Sequence, residues 1–191
     1  MRADLKAISE LVAPGTRVLD LGCGDGVLLR HLQDNLGVTG YGIEIEPAGV
    51  VASIGNGINV IQMNLEAGLS GFDEHSFDTV ILSQTLQAMK HTEPLLRDML
   101  RGGRECIVTF PNFGYWKNRL QVLAGVMPKS SDMPYEWYNT PNVHLCTLHD
   151  FEALCQRVGA RVLQRIVISN GKPIHALPNL LGSLAVYRVS A

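Results

Sequence analysis

The chain has only four cysteines, at 23, 106, 146 and 155, and no two of them share a paired spacing. A disulfide framework is therefore not its organising device, and the thiols read as small buried side chains in a reducing compartment. Nor is there an apolar run long enough to span a bilayer. Arg2, Asp4, Lys6 and Glu10 interrupt the apolar positions at the start, unlike a secretory signal, so a cytoplasmic protein with no membrane partner is expected. Positive charge is short too: a formal net charge of −2 offers no basic field to phosphates, and nucleic acid is not expected as a partner. His144, Cys146, His149 and Asp150 crowd together, but their spacings do not match those of zinc sites, so no metal is expected. Repeats and low-complexity stretches are absent as well.

What is present is enough apolar side chain, 46% of 191 residues, to fill the core of one domain spanning residues 1–191. Leu5, Ile8 and Leu11-Val12 recur at helical spacing until Pro14-Gly15 stops them. A strand follows at 17–21, then a helix marked by Leu28, Leu29, Leu32 and Leu36 with Gly37 as its C-cap, then a strand from Thr39. A short helix at 47–54, a strand at 59–63, a linker at 66–76 and a strand at 77–82 continue the alternation. Thr92 reads as the cap of a helix that Gly102-Gly103 ends, before a fifth strand at 106–110. Thr147 to Asp150 resembles a capping box for a helix closed by Gly159, and strands at 162–169 and 184–189 finish the chain as an antiparallel hairpin at a sheet edge. Strands that are nearly continuous in apolar residues and alternate with helices imply a doubly wound α/β domain. Its sheet is mostly parallel and seven-stranded, with helices on both faces.

Ligands of such sheets bind beyond the carboxyl ends of the strands, and there the informative residues gather. Val18-Leu19-Asp20-Leu21-Gly22-Cys23-Gly24-Asp25-Gly26 is an apolar strand running into an acid and three spaced glycines. A dinucleotide fingerprint would place its third glycine at 27, which is Val. Asp20 and Asp25 would repel a pyrophosphate. They would attract the ammonium and sulfonium of S-adenosylmethionine, whose carboxylate the glycine amides can take up. Cys23, inside the loop, reads as a small side chain. Glu44, 24 residues beyond Asp20, can accept both hydroxyls of a ribose, and Ile45 beside it joins the candidate set. Glu46 competes, because strand alternation puts 44 and 46 on one side, but Pro47 turns the chain toward a helix and favours Glu44. Asn64-Leu65 reads either as an adenine contact or as a turn bonding its own backbone. Ser83 completes the set at the end of the fourth strand. The stretch Ser83-Gln84-Thr85-Leu86-Gln87 can orient a reactant but holds no strong base, and His91 is a lone histidine in a polar loop. No catalytic residue is assigned.

Residues 111–146 make a long irregular connection for a compact domain. Seven of the chain's twelve aromatics nevertheless fall between Phe110 and Tyr138. Aromatic density of this kind seeks cover, as a lid over the site, as a docking face for another protein, or as packing over the sheet edge.

Three stretches together resemble the methionine biosynthesis protein MetW family over nearly the whole chain. They are the loop at 18–26, Gly42-Ile43-Glu44-Ile45, and Phe110-Pro111-Asn112-Phe113-Gly114-Tyr115-Trp116 with Pro134-Tyr135-Glu136-Trp137-Tyr138-Asn139-Thr140-Pro141-Asn142-Val143-His144. The resemblance implies a Rossmann-like methyltransferase fold that binds S-adenosylmethionine or S-adenosylhomocysteine. It also implies an accessory or regulatory role beside homoserine O-acyltransferase. A methyltransferase acting on a small molecule is the alternative. By that resemblance Asp20, Gly22, Gly24 and Gly26 would meet the methionyl end, Glu44 the ribose, and Asn64-Leu65 the adenine.

Overall fold

The protein, described over residues 3–191 by a computed structural model, alternates strand and helix for most of its length. The elements are α1 (Ala3–Leu11), β1 (Arg17–Leu21), α2 (Val27–Leu36), β2 (Thr39–Glu44), α3 (Pro47–Gly55), β3 (Val60–Gln62), β4 (Phe77–Ser83), α4 (Thr92–Gly102), β5 (Gly103–Pro111), α5 (Trp116–Leu123), α6 (Leu148–Val158), β6 (Arg161–Ser169), β7 (Lys172–Pro173), α7 (Pro178–Leu181) and β8 (Leu184–Ser190). One sheet runs in the order β3-β2-β1-β4-β5-β8-β6-β7. The first five strands run parallel to one another, and β8 lies antiparallel to both β5 and β6.

The sheet thus has eight strands where seven were expected. The extra one, β7, is a two-residue pairing of Lys172 and Pro173 with the end of β6, too short to leave an alternation pattern in the sequence. The expected late hairpin is present as the antiparallel pair of β6 and β8, but β8 takes the interior place between β5 and β6. Its residues are buried almost without break, whereas the first half of β6 is exposed. Thr92 is not a cap: it lies inside the first turn of α4, and its hydroxyl donates back to the Met89 carbonyl at 3.3 Å. Thr147 does cap α6. Its oxygen accepts from Asp150 N–H while the Asp150 carboxylate accepts from Thr147 N–H, and left-handed Gly159 closes the other end.

Alternation along the central strands divides the apolar side chains between two cores. Val80, Leu82, Cys106, Val108 and Phe110 pack with Leu95, Leu96 and Met99 of α4 and Phe151 of α6. Ile81 and Ile107 point the other way, onto Leu5, Ile8 and Leu11 of α1 and Leu28, Leu29 and Leu32 of α2. Each helix therefore fixes one face of the sheet, and the loops at the carboxyl ends of the parallel strands are free to build a site.

Candidate ligand site at the carboxyl ends of β1, β2 and β4

The loop between β1 and α2 takes the left-handed conformation at Gly22, Gly24 and Gly26, with φ of 71°, 59° and 77°. Side chains at all three positions would strain the backbone, so glycine alone suits this alternating turn. The glycine amides, expected to take up a ligand carboxylate, make bonds within the protein. Gly22 and Cys23 N–H donate to the Ile43 carbonyl at 2.8 and 2.9 Å, and Gly26 N–H to the Cys23 carbonyl at 2.9 Å. Gly24 N–H donates to Glu44 Oε2 at 2.8 Å. The amides hold the loop itself, and what the glycines supply is room. A Cβ at Gly24 would meet nothing within 4 Å, whereas one at Gly22 would sit 2.8 Å from Thr85 Oγ1.

Glu44 is 8% exposed, and its Oε1 accepts from the N–H groups of Ile45 and Glu46 at 2.7 and 2.8 Å. It therefore braces the glycine loop against the end of β2, with Oε2 holding a single partner among the described residues. Glu46 is exposed at the N-cap position of α3 and makes no side-chain cap bond. Alternation alone could not separate the two acids, but β2 ends at Glu44, so the period of two stops there. Asp20 is 2% exposed in β1, in register with Gly42 and Ile81. Cys23 lies between the acids: burial pushes its thiol up to about 11, and the charges of Asp20 and Glu44 add to the rise. Burial is the larger cause, and the two carboxylates add a smaller part. The thiol is packed 3.6 Å from Ser53 Oγ and is not a nucleophile at neutral pH.

Ile45, 50% exposed, and Asn64-Leu65 stand at adjacent strand ends. Met63 N–H donates to the Glu44 carbonyl at 3.0 Å and Gln62 Nε2 to the Ile45 carbonyl at 3.2 Å. Of the two readings of Asn64, the turn bond is present: its Oδ1 accepts from Glu66 N–H at 2.9 Å and caps the short 3-10 turn 65–67, while Leu65 is buried. Ser83 lies within 3.3 Å of Thr109 Oγ1, which also accepts from Gln84 N–H at 3.0 Å.

Sequence reasoning placed Gln84 and Thr85 in a stretch able to orient a reactant, but did not foresee that Thr85 packs on Gly22 or that Gln84, with φ of 56°, is left-handed without being glycine. Glycine or asparagine at 84 would have signalled the turn; glutamine gave no signal. Gln84 and Gln87, with Asp4, Asp132, Tyr135 and Asn142, line a cavity of about 470 Å³ beside the loop after β4. Gln87 Nε2 donates to the Gln84 carbonyl at 2.7 Å, and buried Gln87 Oε1 has no hydrogen-bond partner among the described residues. Val143 and His144 N–H both donate to the Gln87 carbonyl, at 2.8 and 3.0 Å, tying the insertion 111–146 over the end of β4. The insertion is therefore a wall of the cavity.

His91 Nδ1 lies in hydrogen-bond contact with Glu66, 2.7 Å from its carboxylate, and its side chain is 70% exposed. Burial alone would raise the Glu66 carboxyl, but hydrogen bonds from Lys90 N–H and from His91 overcome it and hold it below its ordinary value. A carboxyl lowered by folding stabilises above its unfolded value of about 4.3 and loses that contribution as pH falls through the folded value. Glu66→Gln should therefore be less stable than wild type in urea at pH 7, with the gap closing below about pH 4. Of the four residues weighed as metal ligands, Asp150 is engaged in the α6 cap and burial pushes the Cys146 thiol up to about 12.

The sequence matches the family described as methionine biosynthesis protein MetW over residues 2–189. A bifunctional methionine biosynthesis protein MetXA/MetW from Rhodopirellula baltica is 34% identical over 200 residues, covering 97% of this chain and 32% of that protein. A ubiquinone/menaquinone biosynthesis C-methyltransferase UbiE from Ectopseudomonas mendocina is 31% identical over 115 residues, 54% of this chain and 45% of that protein. The chain thus spans between about a third and a half of the length of these curated relatives. Among solved structures, an S-adenosylmethionine-dependent methyltransferase from Mesorhizobium loti matches with a TM-score of 0.74 and 16% identity, covering 100% of this chain and 98% of that one. The fold is thereby that of the Rossmann-like methyltransferases, and a likeness at such low identity speaks for fold alone.

Proposed function

Because the chain belongs to the MetW family, we propose that it binds S-adenosylmethionine or S-adenosylhomocysteine and serves homoserine O-acyltransferase as an accessory or regulatory partner. The observation that carries the reading is the relative whose name joins MetXA and MetW in one protein. The residues present fit the ligand. Two buried carboxylates, Asp20 and Glu44, stand at the glycine loop, and negative charge there suits a sulfonium and an ammonium and opposes a diphosphate. Space opens beyond Gly24, Glu44 Oε2 lies at the loop for a ribose hydroxyl, and Ile45 offers exposed apolar surface for adenine, with the Asn64 amide nitrogen as a donor. Bound there, S-adenosylmethionine would supply a transferable methyl group, and either ligand could simply report its own concentration.

The cavity beside Gln84 and Gln87 supports a second reading, a methyltransferase acting on a small molecule. Its named lining holds carboxylates, amides and hydroxyls but no histidine or lysine, so orientation would have to carry much of any transfer.

Calorimetric titration of S-adenosylmethionine with and without the acyltransferase separates the readings. A regulatory partner should show roughly a 5- to 150-fold change in affinity on adding the enzyme, with a matching response of acyltransferase activity to the ligand. Indifference of both quantities would reject that role. Appearance of labelled methyl in a metabolite would establish the alternative.

A further inference from the structure

The insertion has two sides. The inner one walls the cavity through Tyr135 and Asn142 and is fastened at Val143 and His144. The outer one is apolar and open to water. Of twenty large apolar side chains exposed among the described residues, eleven fall between Trp116 and Leu145, a segment of thirty residues. Trp137 and Tyr138 are 72% and 70% exposed, with their rings edge to face at 5.7 Å. A groove of about 220 Å³ runs among Met127, Tyr135, Trp137, Val143 and Leu145, and α5 leads into it through Leu123, which is 83% exposed.

This surface is held in shape before any partner arrives. Gln121 Oε1 accepts from Lys129 N–H at 3.0 Å, Lys129 pairs with Glu136, and Glu136 N–H donates to Asn139 Oδ1 at 3.0 Å. A preorganised apolar patch loses little entropy on binding and gains by leaving water. Two observations say what covers it. One relative, a bifunctional protein named MetXA/MetW, joins a further part to the stretch that aligns with 97% of this chain. In addition, Tyr135 lines both this groove and the cavity beside Gln84 and Gln87, so a partner seated here would touch a wall of that cavity. Resting on the accessory role proposed above, we infer that homoserine O-acyltransferase docks on this groove and the adjoining end of α5, with Trp137 as the central anchor.

The test mixes purified acyltransferase with wild type, with Leu123→Asp/Trp137→Asp, and with Val51→Asp, which alters an equally exposed apolar side chain on α3. Sedimentation velocity reads the complex, and thermal melting with S-adenosylmethionine calorimetry checks each variant's integrity. Loss of a central aromatic anchor is worth roughly 30-fold or more in affinity. The double variant should therefore bind the enzyme at least about 100-fold more weakly, with ligand affinity unchanged, and Val51→Asp should bind as wild type does. Trp137→Phe should restore most of the binding, whereas a merely misfolded surface would not recover. Equal binding by the double variant overturns the surface while leaving the accessory role standing. No complex with wild type overturns both, and wild type that pairs with itself through this patch assigns the groove to a second copy instead.

Discussion

Gly40→Ala is expected to cost more than about 4 kcal/mol, a loss reserved for substitutions with a specific steric cause. Gly40 sits in β2 with φ of 150°, paired with Val18 of β1. A Cβ there would overlap the Val18 carbonyl oxygen and stand 2.8 Å from its carbon. The obstacle is backbone, so no rotamer relieves it, and the two strands must part. Because Gly22 and Cys23 hang from the Ile43 carbonyl of β2, the ligand loop would go with them. Urea unfolding measures the loss. Gly55→Ala is the contrast: its Cβ meets nothing within 4 Å and its backbone is ordinary, so stability should hold or rise by about 0.4–1 kcal/mol. Near-wild-type stability of Gly40→Ala would show that β1 and β2 do not approach as described.

The second large effect belongs to Glu44→Ala. Three backbone N–H groups, of Gly24, Ile45 and Glu46, lose a charged acceptor at once. Bonds to ionised groups are worth about 1.5–3 kcal/mol each, and water can replace those at the exposed residues 45 and 46. A stability loss of about 2–3 kcal/mol is expected, together with at least about a 100-fold loss of S-adenosylmethionine affinity. Glu44→Gln divides the two effects. Its amide oxygen can keep Ile45 and Glu46, but its NH₂ faces the Gly24 N–H and offers a ribose no second acceptor. Stability should recover in large part while affinity stays low. Calorimetry that found Glu44→Gln binding as tightly as wild type would mean that the carboxylate serves the loop alone.

Features set by neighbours in the chain were legible before the structure. Gly37 and Gly159 end helices in the left-handed conformation, the Thr147-Asp150 box starts α6, and the glycines at 22, 24 and 26 announce their turn. Features set by pairing across the sheet were not. That the loop amides already bond Ile43 and Glu44, that Thr85 rests on Gly22, and that β8 sits inside the sheet depend on strands distant in sequence. Composition also could not tell a buried aromatic from an exposed one. Tyr115 is buried and Tyr138 is not, though both belong to the same aromatic-rich stretch. The reading of Thr92 as a cap failed because His91, one residue earlier, already holds that place.

The interior place of β8 has a consequence during synthesis. Until residues 184–190 leave the ribosome, β5 and β6 each expose a row of unsatisfied backbone groups toward the gap they border. At about 5–20 residues per second, the apolar flank of β5 waits on the order of ten seconds for its mate. The nascent chain is most prone to coalesce with its neighbours in that interval, so slower translation past residue 111 should increase its dependence on chaperones.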